Sequence, residues 1–470
     1  MNALLGVNHF TQSLLSMRYN FRIGIIGLKM RKVLLIFLLI CALSIVQSYR
    51  RHKRSILSSR PKEIVSLNPW NVKSLTSKIT PVPSVQPVDV NNLGRANETN
   101  HDLSGIIGLG GTPYGNQSGL GALSGGLTSG LDDINPLPLI KFLTDQISFF
   151  KDKIMYIYDD QERPVQLKLE IPDFNLLNLW PNLNEKVTFL LYDNQGGNNS
   201  FDILKVDDND ALKKSRFNPK KPTVFITHGF LASSNGTSVT MVRDAYLKTR
   251  DYNIIAVNWS PLAVGSYTVA RLMVPRVGTH IGNMINFLYK NGMNPNTTTL
   301  IGHSLGAHVM GLAGQAATQK VNHTIALDPA WPLFVLLPYD QRISHDDAQY
   351  VEVIHTNGGL LGLPETTGHY DFYPNGGFFQ KGCDGDFFTG CSHSRAWKYL
   401  VEQIEGEGSD YYAVECDSYT KFEKGICSNN QNVTIMGALD RIYAAKGRYY
   451  LDTNDKEPFG LGLIFQGLSD

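Results

Sequence analysis

From about residue 184 onward, strand-like and helix-like apolar patterns alternate along the chain. Short runs rich in β-branched and aromatic residues predict strands over 186–192, 222–228, 253–259, 297–302, 324–327 and 350–355. Apolar positions at helical spacing predict helices over 269–288 and 305–317. This alternation favours the α/β class, with a mostly parallel central sheet flanked by crossover helices. Active sites in such sheets gather at the carboxyl ends of the strands.

The amino-terminal region, residues 1–54, carries a targeting signal. An apolar run over 33–46 follows Arg31 and Lys32, which predicts a secretory signal peptide at about 30–48 with Met30 as the start. We therefore expect a secreted, extracellular protein, and an uncleaved signal anchored in the membrane is the alternative. The basic run that follows, 51–54, resembles a processing site, although a solvated basic flank has the same composition.

The segment 55–150 lacks sustained periodicity, and 105–130 is rich in Gly, Ser and Leu. We interpret it as a low-complexity or propeptide-like segment, with the enzyme-like domain over 151–470.

Composition narrows the class of protein. The chain has 470 residues, of which 42% are hydrophobic and 18% charged, with a formal net charge of +1. This suits a globular domain with a sizeable core and gives no reason to expect a nucleic-acid partner.

Cysteines and glycosylation sequons agree with secretion. Of five cysteines, Cys41 lies in the signal, and the other four cluster late at Cys383, Cys391, Cys416 and Cys427. Four cysteines predict two disulfides, and pairing of nearest neighbours, 383–391 and 416–427, is the simplest of three possibilities. Asn-x-Ser/Thr sequons, which mark glycoproteins of the secretory route, occur at Asn97, Asn116, Asn198, Asn235, Asn258, Asn296, Asn322 and Asn432.

The strongest catalytic pattern is Gly302-His303-Ser304-Leu305-Gly306, which fits G-x-S-x-G. A predicted strand runs into it and a predicted helix leaves it, which is the context of a nucleophile elbow. In that arrangement a sharp turn lifts the serine hydroxyl clear of the sheet. Ser304 is therefore the candidate nucleophile.

A serine nucleophile needs a base and a group that orients the base. Asp328 follows the next strand, and Pro329 ends that strand, so its carboxylate is expected at the carboxyl edge. The order Ser…Asp…His then calls for a late histidine. The candidates are His345, His355, His369 and His393, and we prefer His393 because it follows a cysteine-bounded loop and starts a helical stretch.

An oxyanion hole requires two backbone N–H groups that face the tetrahedral oxygen. The amide of Leu305, one residue past the serine, is the natural first donor. The second is expected at an early strand-to-loop junction, and His228-Gly229-Phe230 is such a junction. The amide of Phe230 is the candidate.

These segments resemble the animal pancreatic-lipase family, in the family's order and over roughly 184–465. The matching segments are Thr227-His228-Gly229-Phe230, Gly302-His303-Ser304-Leu305-Gly306-Ala307-His308, Leu327-Asp328-Pro329-Ala330, Val353-Ile354-His355-Thr356, Asp371-Phe372-Tyr373-Pro374-Asn375-Gly376-Gly377 and Cys391-Ser392-His393. The resemblance implies an α/β-hydrolase fold with Ser304, Asp328 and His393 as a catalytic triad. It implies Phe230 and Leu305 as the oxyanion hole, and it favours His393 over His369.

Two departures from the family pattern bear on domains and metal. The family's larger lipases carry a carboxy-terminal β-sandwich domain, and we expect none here because the chain ends soon after Cys427. Members with a calcium site have acidic groups after Asp-Pro-Ala. In an ungapped alignment Arg342 and Asp347 match, but Tyr339 and Ser344 stand where acids are expected. We therefore expect no metal and no other cofactor.

The lid and the loop after His355 also differ. Cys383 and Cys391 enclose only residues 384–390, and the loop 356–368 looks abbreviated. Short versions of both resemble the family's phospholipase A1 branch. The leading hypothesis is a secreted serine hydrolase that acts on lipid esters, of phospholipase A1 or general lipase type, and contacts lipid surfaces transiently. The alternatives are a triacylglycerol lipase of the same fold and a non-catalytic, yolk-protein-like lipid-binding protein. A complete triad favours the enzyme.

Overall fold

The structure is a computed structural model that describes residues 137–462, apart from 152, 174–180, 197–199, 336, 385–388, 407–409, 429–431 and 439–445. The expectations for the signal region and for most of 55–150 lie outside these residues. Within the described part of the chain, no helix is both long enough and apolar enough to cross a membrane.

An eleven-stranded sheet forms the centre of the molecule, in the order β12-β11-β13-β10-β9-β8-β7-β5-β6-β3-β4. Seven consecutive strands, from β13 to β6, run parallel, and the outer strands at both edges are antiparallel. A separate two-stranded hairpin precedes the sheet. The strands are β1 (Tyr156–Tyr158), β2 (Pro164–Gln166), β3 (Thr188–Tyr192), β4 (Asp202–Leu204), β5 (Thr223–Thr227), β6 (Asn253–Asn258), β7 (Thr298–His303), β8 (His323–Leu327), β9 (Tyr350–Ile354), β10 (Tyr370–Pro374), β11 (Tyr412–Glu415), β12 (Val433–Ile435) and β13 (Gly447–Leu451).

Helices cover both faces of this sheet. The α-helices are α1 (Leu137–Phe150), α2 (Leu183–Lys186), α3 (Asn209–Lys214), α4 (Thr237–Thr249), α5 (Ser260–Ala263), α6 (Tyr267–Lys290), α7 (Leu305–Ala316), α8 (Gly390–Glu405) and α9 (Tyr419–Glu423). Helices α6 and α7 belong to one apolar cluster, and α4 and α8 belong to the other. This is the α/β-hydrolase architecture that the sequence predicts, with strand and helix bounds within three residues of the expected ones.

Burial on both faces explains why the inner strands read as continuous apolar runs. All five residues of β5 are buried. Successive side chains point to opposite faces, so Phe225 packs in one cluster while Val224 and Ile226 pack in the other.

The parallel register brings four strand ends to one edge. Thr227 pairs with Gly302, His303 with Leu327, and Leu327 with Ile354. The residues that follow β5, β7, β8 and β9 therefore meet at this edge, and they include Ser304 and Asp328.

The structure differs from the expected boundary at residue 151, because α1 packs on the core. Leu143 and Phe150 are buried, and the Phe150 ring lies edge-on to Trp331, with 4.9 Å between the ring centroids. The Gln146 amide donates to the carbonyl oxygen of Val335 at 2.9 Å. The end of the segment that we interpreted as propeptide-like is thus part of the folded domain.

Candidate active site

Ser304 lies between β7 and α7 in a strained backbone conformation, with φ 57° and ψ −122°. Non-glycine residues rarely adopt positive φ, and such positions cluster at functional sites. The Ser304 amide donates to Leu327 at 3.0 Å, and its carbonyl accepts from Ala307 and Ala330. These bonds fix the turn to both the sheet and the helix.

His393 lies in the first turn of α8 and bonds to Asp328. Its Nδ1 atom is 2.6 Å from Oδ2 of Asp328, and both side chains are buried. A carboxylate can only accept, so Nδ1 carries the proton and Nε2 keeps its lone pair. Nε2 is buried and has no hydrogen-bond partner among the described residues.

Two backbone amides hold the other oxygen of Asp328. Thr356 and Asn357 donate to Oδ1 at 2.9 and 3.0 Å. Gly362 lies against the same carboxylate, since a Cβ atom there would be 2.3 Å from Oδ1. The loop after β9 therefore fixes the direction in which Asp328 presents Oδ2 to His393.

Among the other candidate histidines, none is bonded to Asp328 in the described residues. His355 bonds to Leu363 and Asp371, and His369 accepts from the amide of Val351 at 3.0 Å. His345 is half-exposed and lies 3.6 Å from Asp346. The structure thus brings together Asp328 and His393, the pair preferred from sequence.

The two expected oxyanion donors belong to backbone segments next to Ser304. Leu305 is the next residue, and a Cβ atom on Gly229 would be 2.7 Å from Cβ of Ser304, so the loop that carries Phe230 is adjacent. The amides of Phe230 and Leu305 do not donate to any described residue. Two amides without internal partners beside one hydroxyl match the requirement for an oxyanion hole.

Three buried histidines that the sequence did not single out as functional surround the site. His228 accepts from the amide of Trp259 at 3.1 Å, and burial lowers its pKa to about 4. His308 accepts from the amide of Ile343, and burial lowers its pKa to about 3. Both rings are therefore neutral at physiological pH, and each accepts a hydrogen bond that holds a backbone amide in place. Their place in the motifs His-Gly and Gly-Ala-His was the available signal.

The third, His303, lies beside His393, with 4.5 Å between the ring centroids. Its Nε2 atom is 3.0 Å from the backbone oxygen of His393. Burial, and then the charge of His393, lower the pKa of His303 well below its usual value. A neutral neighbour does not oppose the positive charge that His393 acquires when it takes a proton.

A small cavity of about 30 Å³ lies in front of Ser304 and His393. Its walls come from the β1–β2 hairpin, the Phe230 loop and α8. At the hairpin tip, Asp160 accepts from the amide of Ser233 at 3.1 Å and from its hydroxyl at 2.5 Å. The hairpin was not expected from sequence, and it forms part of the cavity wall beside Ser304.

The structure contains two disulfides, Cys383–Cys391 and Cys416–Cys427. This is the pairing of nearest neighbours. The first bond ties the start of α8, two residues before His393, to the loop before it. Most of the expected short lid, 385–388, lies outside the described residues.

The loop in which the family places calcium does not fit a metal in this chain. The Asp347 carboxylate accepts from the amide and the hydroxyl of Ser344 at 2.8 and 3.1 Å. Burial raises the pKa of Asp347 to about 7. Arg342 adds positive charge to the same loop, and Tyr339 is exposed. The described residues contain no cluster of three or more His, Cys, Asp or Glu side chains suited to a metal ion.

Comparisons with known proteins agree on one family. A family model described as Lipase matches residues 154–459. Pancreatic triacylglycerol lipase of Cavia porcellus is 31% identical over 303 residues, which cover 58% of this chain and 64% of that protein. Inactive pancreatic lipase-related protein 1 of Homo sapiens is 34% identical over 315 residues, 60% of this chain and 67% of that protein. Lipoprotein lipase of Rattus norvegicus is 31% identical over 277 residues, 53% of this chain and 58% of that protein.

The chain thus spans about two thirds, or less, of the length of these relatives. Among solved structures, a putative hydrolase of the alpha/beta superfamily from Xanthomonas campestris pv. campestris has a TM-score of 0.24 and 14% identity, covering 30% of this chain and 76% of that chain.

Proposed function

Because this chain belongs to the lipase family, we propose that it hydrolyses lipid esters with Ser304 as nucleophile, His393 as general base and Asp328 as the group that orients the base. The bond of 2.6 Å between Asp328 and Nδ1 of His393 carries the proposal. It leaves Nε2 as an unpartnered base at the wall of the cavity that Ser304 also lines.

The reaction proceeds in two halves. The Ser304 oxygen attacks the ester carbonyl carbon while its proton passes to Nε2 of His393. The amides of Phe230 and Leu305 stabilise the negative oxygen that forms. The intermediate then collapses, and the leaving alcohol takes the proton from His393.

Water completes the cycle by attacking the acyl group on Ser304. It gives one proton to His393. The second intermediate then releases the fatty acid, and His393 returns that proton to the oxygen of Ser304. Asp328 stabilises the imidazolium in both halves and does not itself become protonated.

The substrate class that we propose is a polar glycerolipid, cleaved as a phospholipase A1 would cleave it. The sequence between Cys383 and Cys391 is short, and residues 384–390 include only two large apolar side chains, Phe387 and Phe388. The loop 356–368 supports Asp328 and buries Leu361 and Leu363, while Leu360 is half-buried. The sequence between the two cysteines and this loop therefore offer few apolar side chains to hold a third acyl chain.

A panel of purified substrates separates this proposal from its alternatives. Initial rates on phosphatidylcholine, galactolipid, long-chain triacylglycerol and short-chain esters are measured across each aggregation threshold, with Ser304→Ala as the blank. We expect faster cleavage of the polar lipids and rates that rise smoothly with concentration. A sharp rise at the interface together with a preference for triacylglycerol would assign a triacylglycerol lipase instead.

The non-catalytic alternative is kept because two of the relatives, from Homo sapiens and Canis lupus familiaris, are named as inactive. The complete Ser304, Asp328 and His393 arrangement speaks for catalysis. A folded protein that binds lipid but hydrolyses none of the panel would support the lipid-binding function. We further propose that the protein is secreted, which two disulfides favour because such bonds persist in oxidising compartments.

A further inference from the structure

A second buried histidine–carboxylate pair lies close to the candidate triad. His355 directly follows β9, and Asp371 is in the neighbouring parallel strand β10. Nε2 of His355 is 2.9 Å from Oδ1 of Asp371, with side-chain exposures of 0% and 2%. The proposed reaction assigns no role to either side chain.

Further hydrogen bonds tie both members of this pair to their surroundings. Nδ1 of His355 is 2.8 Å from the carbonyl oxygen of Leu363, which can only accept. Asp371 also accepts from the amides of Thr367 at 2.9 Å and Gly368 at 3.1 Å. Nδ1 of the ring therefore donates to the Leu363 carbonyl, while its Nε2 atom faces the Asp371 carboxyl group.

Apart from the bond between His355 and Asp371 themselves, these bonds all reach the loop 356–368. The loop begins next to His355, its middle is held at the Leu363 carbonyl, and its end is held at the amides of Thr367 and Gly368. The Leu363 amide in turn donates to Pro329, the neighbour of Asp328, at 2.8 Å. The pair thus fixes the loop at its start, middle and end.

The same loop supplies both amides that hold Asp328. Thr356 and Asn357 donate to its Oδ1 atom, and that contact sets the direction of Oδ2 toward His393. We propose that His355 and Asp371 are positioning residues for the triad, acting through the loop 356–368 on the orientation of Asp328. This inference rests on the proposed hydrolysis by Ser304.

The test compares two buried pairs of the same kind. Asp371→Asn replaces the carboxyl group of the pair near Asp328 with an amide. Glu352→Gln does the same to His323–Glu352, whose atoms are 3.3 Å apart and whose side chains are each 7% exposed. His323 begins β8, whereas Asp328 follows its last residue, so this control pair lies toward the other end of the same strand.

Active sites are counted by stoichiometric labelling of Ser304 with an organophosphonate ester, and kcat is expressed per labelled site. For Asp371→Asn we expect kcat per site to fall roughly ten- to a hundredfold, the range for loss of groups that orient catalytic ligands. KM for a short-chain ester should stay within about twofold, since the pair touches no wall of the cavity. Glu352→Gln should lower the melting temperature but leave kcat per site unchanged.

The proposal is overturned if Asp371→Asn keeps the wild-type kcat per site, or if both variants lose it equally. If Asp371→Asn does not fold, His355→Gln is measured by the same criterion. If neither folds while Glu352→Gln does, the pair is structural only and the proposal also fails. Failure of the proposed function is a separate result, because then the wild type itself would show no turnover that Ser304→Ala abolishes.

Discussion

A Cβ atom on Gly302 would lie 2.1 Å from the backbone oxygen of Gly306. A Cβ atom on Gly306 would in turn lie 2.5 Å from the backbone oxygen of His228. Three backbone segments therefore converge around Ser304 with no room for a side chain between them. The position of Ser304 is set by this backbone packing and does not depend on its own hydroxyl.

Ser304→Ala should consequently leave the fold intact and lower ester hydrolysis by several orders of magnitude, on the order of a million-fold in comparable triads. The reason is that alanine keeps the turn but has no oxygen to attack the ester. Circular dichroism and melting temperature control for folding, while hydrolysis of a short-chain ester measures activity. Near-normal turnover in a well-folded variant would refute the assignment.

Asp328→Asn should lower kcat by roughly ten-thousandfold while changing KM little. An amide in place of the carboxylate no longer favours the proton on Nδ1 of His393, so Nε2 ceases to be the base. Steady-state kinetics on the same ester checks this. If the variant retained more than about a tenth of the wild-type kcat, Asp328 would not be the orienting group.

Added chelator should change neither activity nor melting temperature. Asp347 is already engaged by Ser344, and the positions of Tyr339 and Ser344 offer no carboxylate. The measurement is a thermal melt and an activity assay with EDTA, followed by added calcium. A loss with chelator that calcium restores would show that the loop has been misinterpreted.

Buried neutral histidines should make the fold sensitive to acid. The pKa of His228 is lowered to about 4 and that of His308 to about 3, so in the folded protein both stay neutral well below pH 6.5. The unfolded chain takes up these protons below about pH 6.5, so each histidine stabilises the fold above that pH. Its contribution falls by up to about 1.4 kcal/mol for each pH unit below it.

Asp347, with its pKa raised to about 7, acts in the opposite direction, because its stabilising contribution declines as pH rises from about 4 toward 7. The informative comparison is therefore between variants. The denaturant midpoint should decrease less between pH 6.5 and pH 5 in His308→Gln than in the wild type. The control His345→Gln, at a half-exposed position, should show the wild-type decrease. Equal pH dependence in the two variants would argue against a neutral, buried His308.

Asp160→Ala should raise the hydrolysis of small soluble esters severalfold. The cavity of about 30 Å³ has room for roughly two water molecules, whereas pockets for drug-sized ligands measure about 300–1,000 Å³. Entry of a lipid requires part of the cavity wall to move, and Asp160 holds the hairpin that forms one wall to Ser233. Asp145→Ala, an exposed acid on α1, is the matched control. A fall in activity would instead indicate that Asp160 stabilises the Phe230 loop and does not restrain the hairpin.

Much of this architecture follows from local sequence pattern. Apolar periodicity and a terminating residue predict three elements of the site directly from the sequence. They are the strand ending at Thr227, the elbow at Ser304 and the strand ending before Asp328. His393 was chosen from its place after a cysteine-bounded loop, and its bond to Asp328 spans 65 residues that no periodicity connects.

Two kinds of contact could not be predicted from the sequence. These are contacts made by backbone atoms and contacts between distant segments. The amides of Thr356 and Asn357 hold Asp328, yet every residue except proline has an amide, so nothing marks them. The bond between Asp160 and Ser233 joins a hairpin to a loop 73 residues away. Helix α1 is different, because its apolar residues do recur at helical spacing, but the helix follows a Gly-rich stretch whose composition is typical of a linker.

The narrow cavity in front of Ser304 bears on what a labelling experiment at this residue measures. Ser304 is 2% exposed, and the β1–β2 hairpin forms part of the wall in front of it. When an electrophile is scarce, its encounters with the open molecules limit the labelling rate. When it is abundant, the rate reaches a plateau equal to the frequency at which the hairpin opens. The plateau rate then measures the opening rate of the hairpin and not the reactivity of the Ser304 hydroxyl.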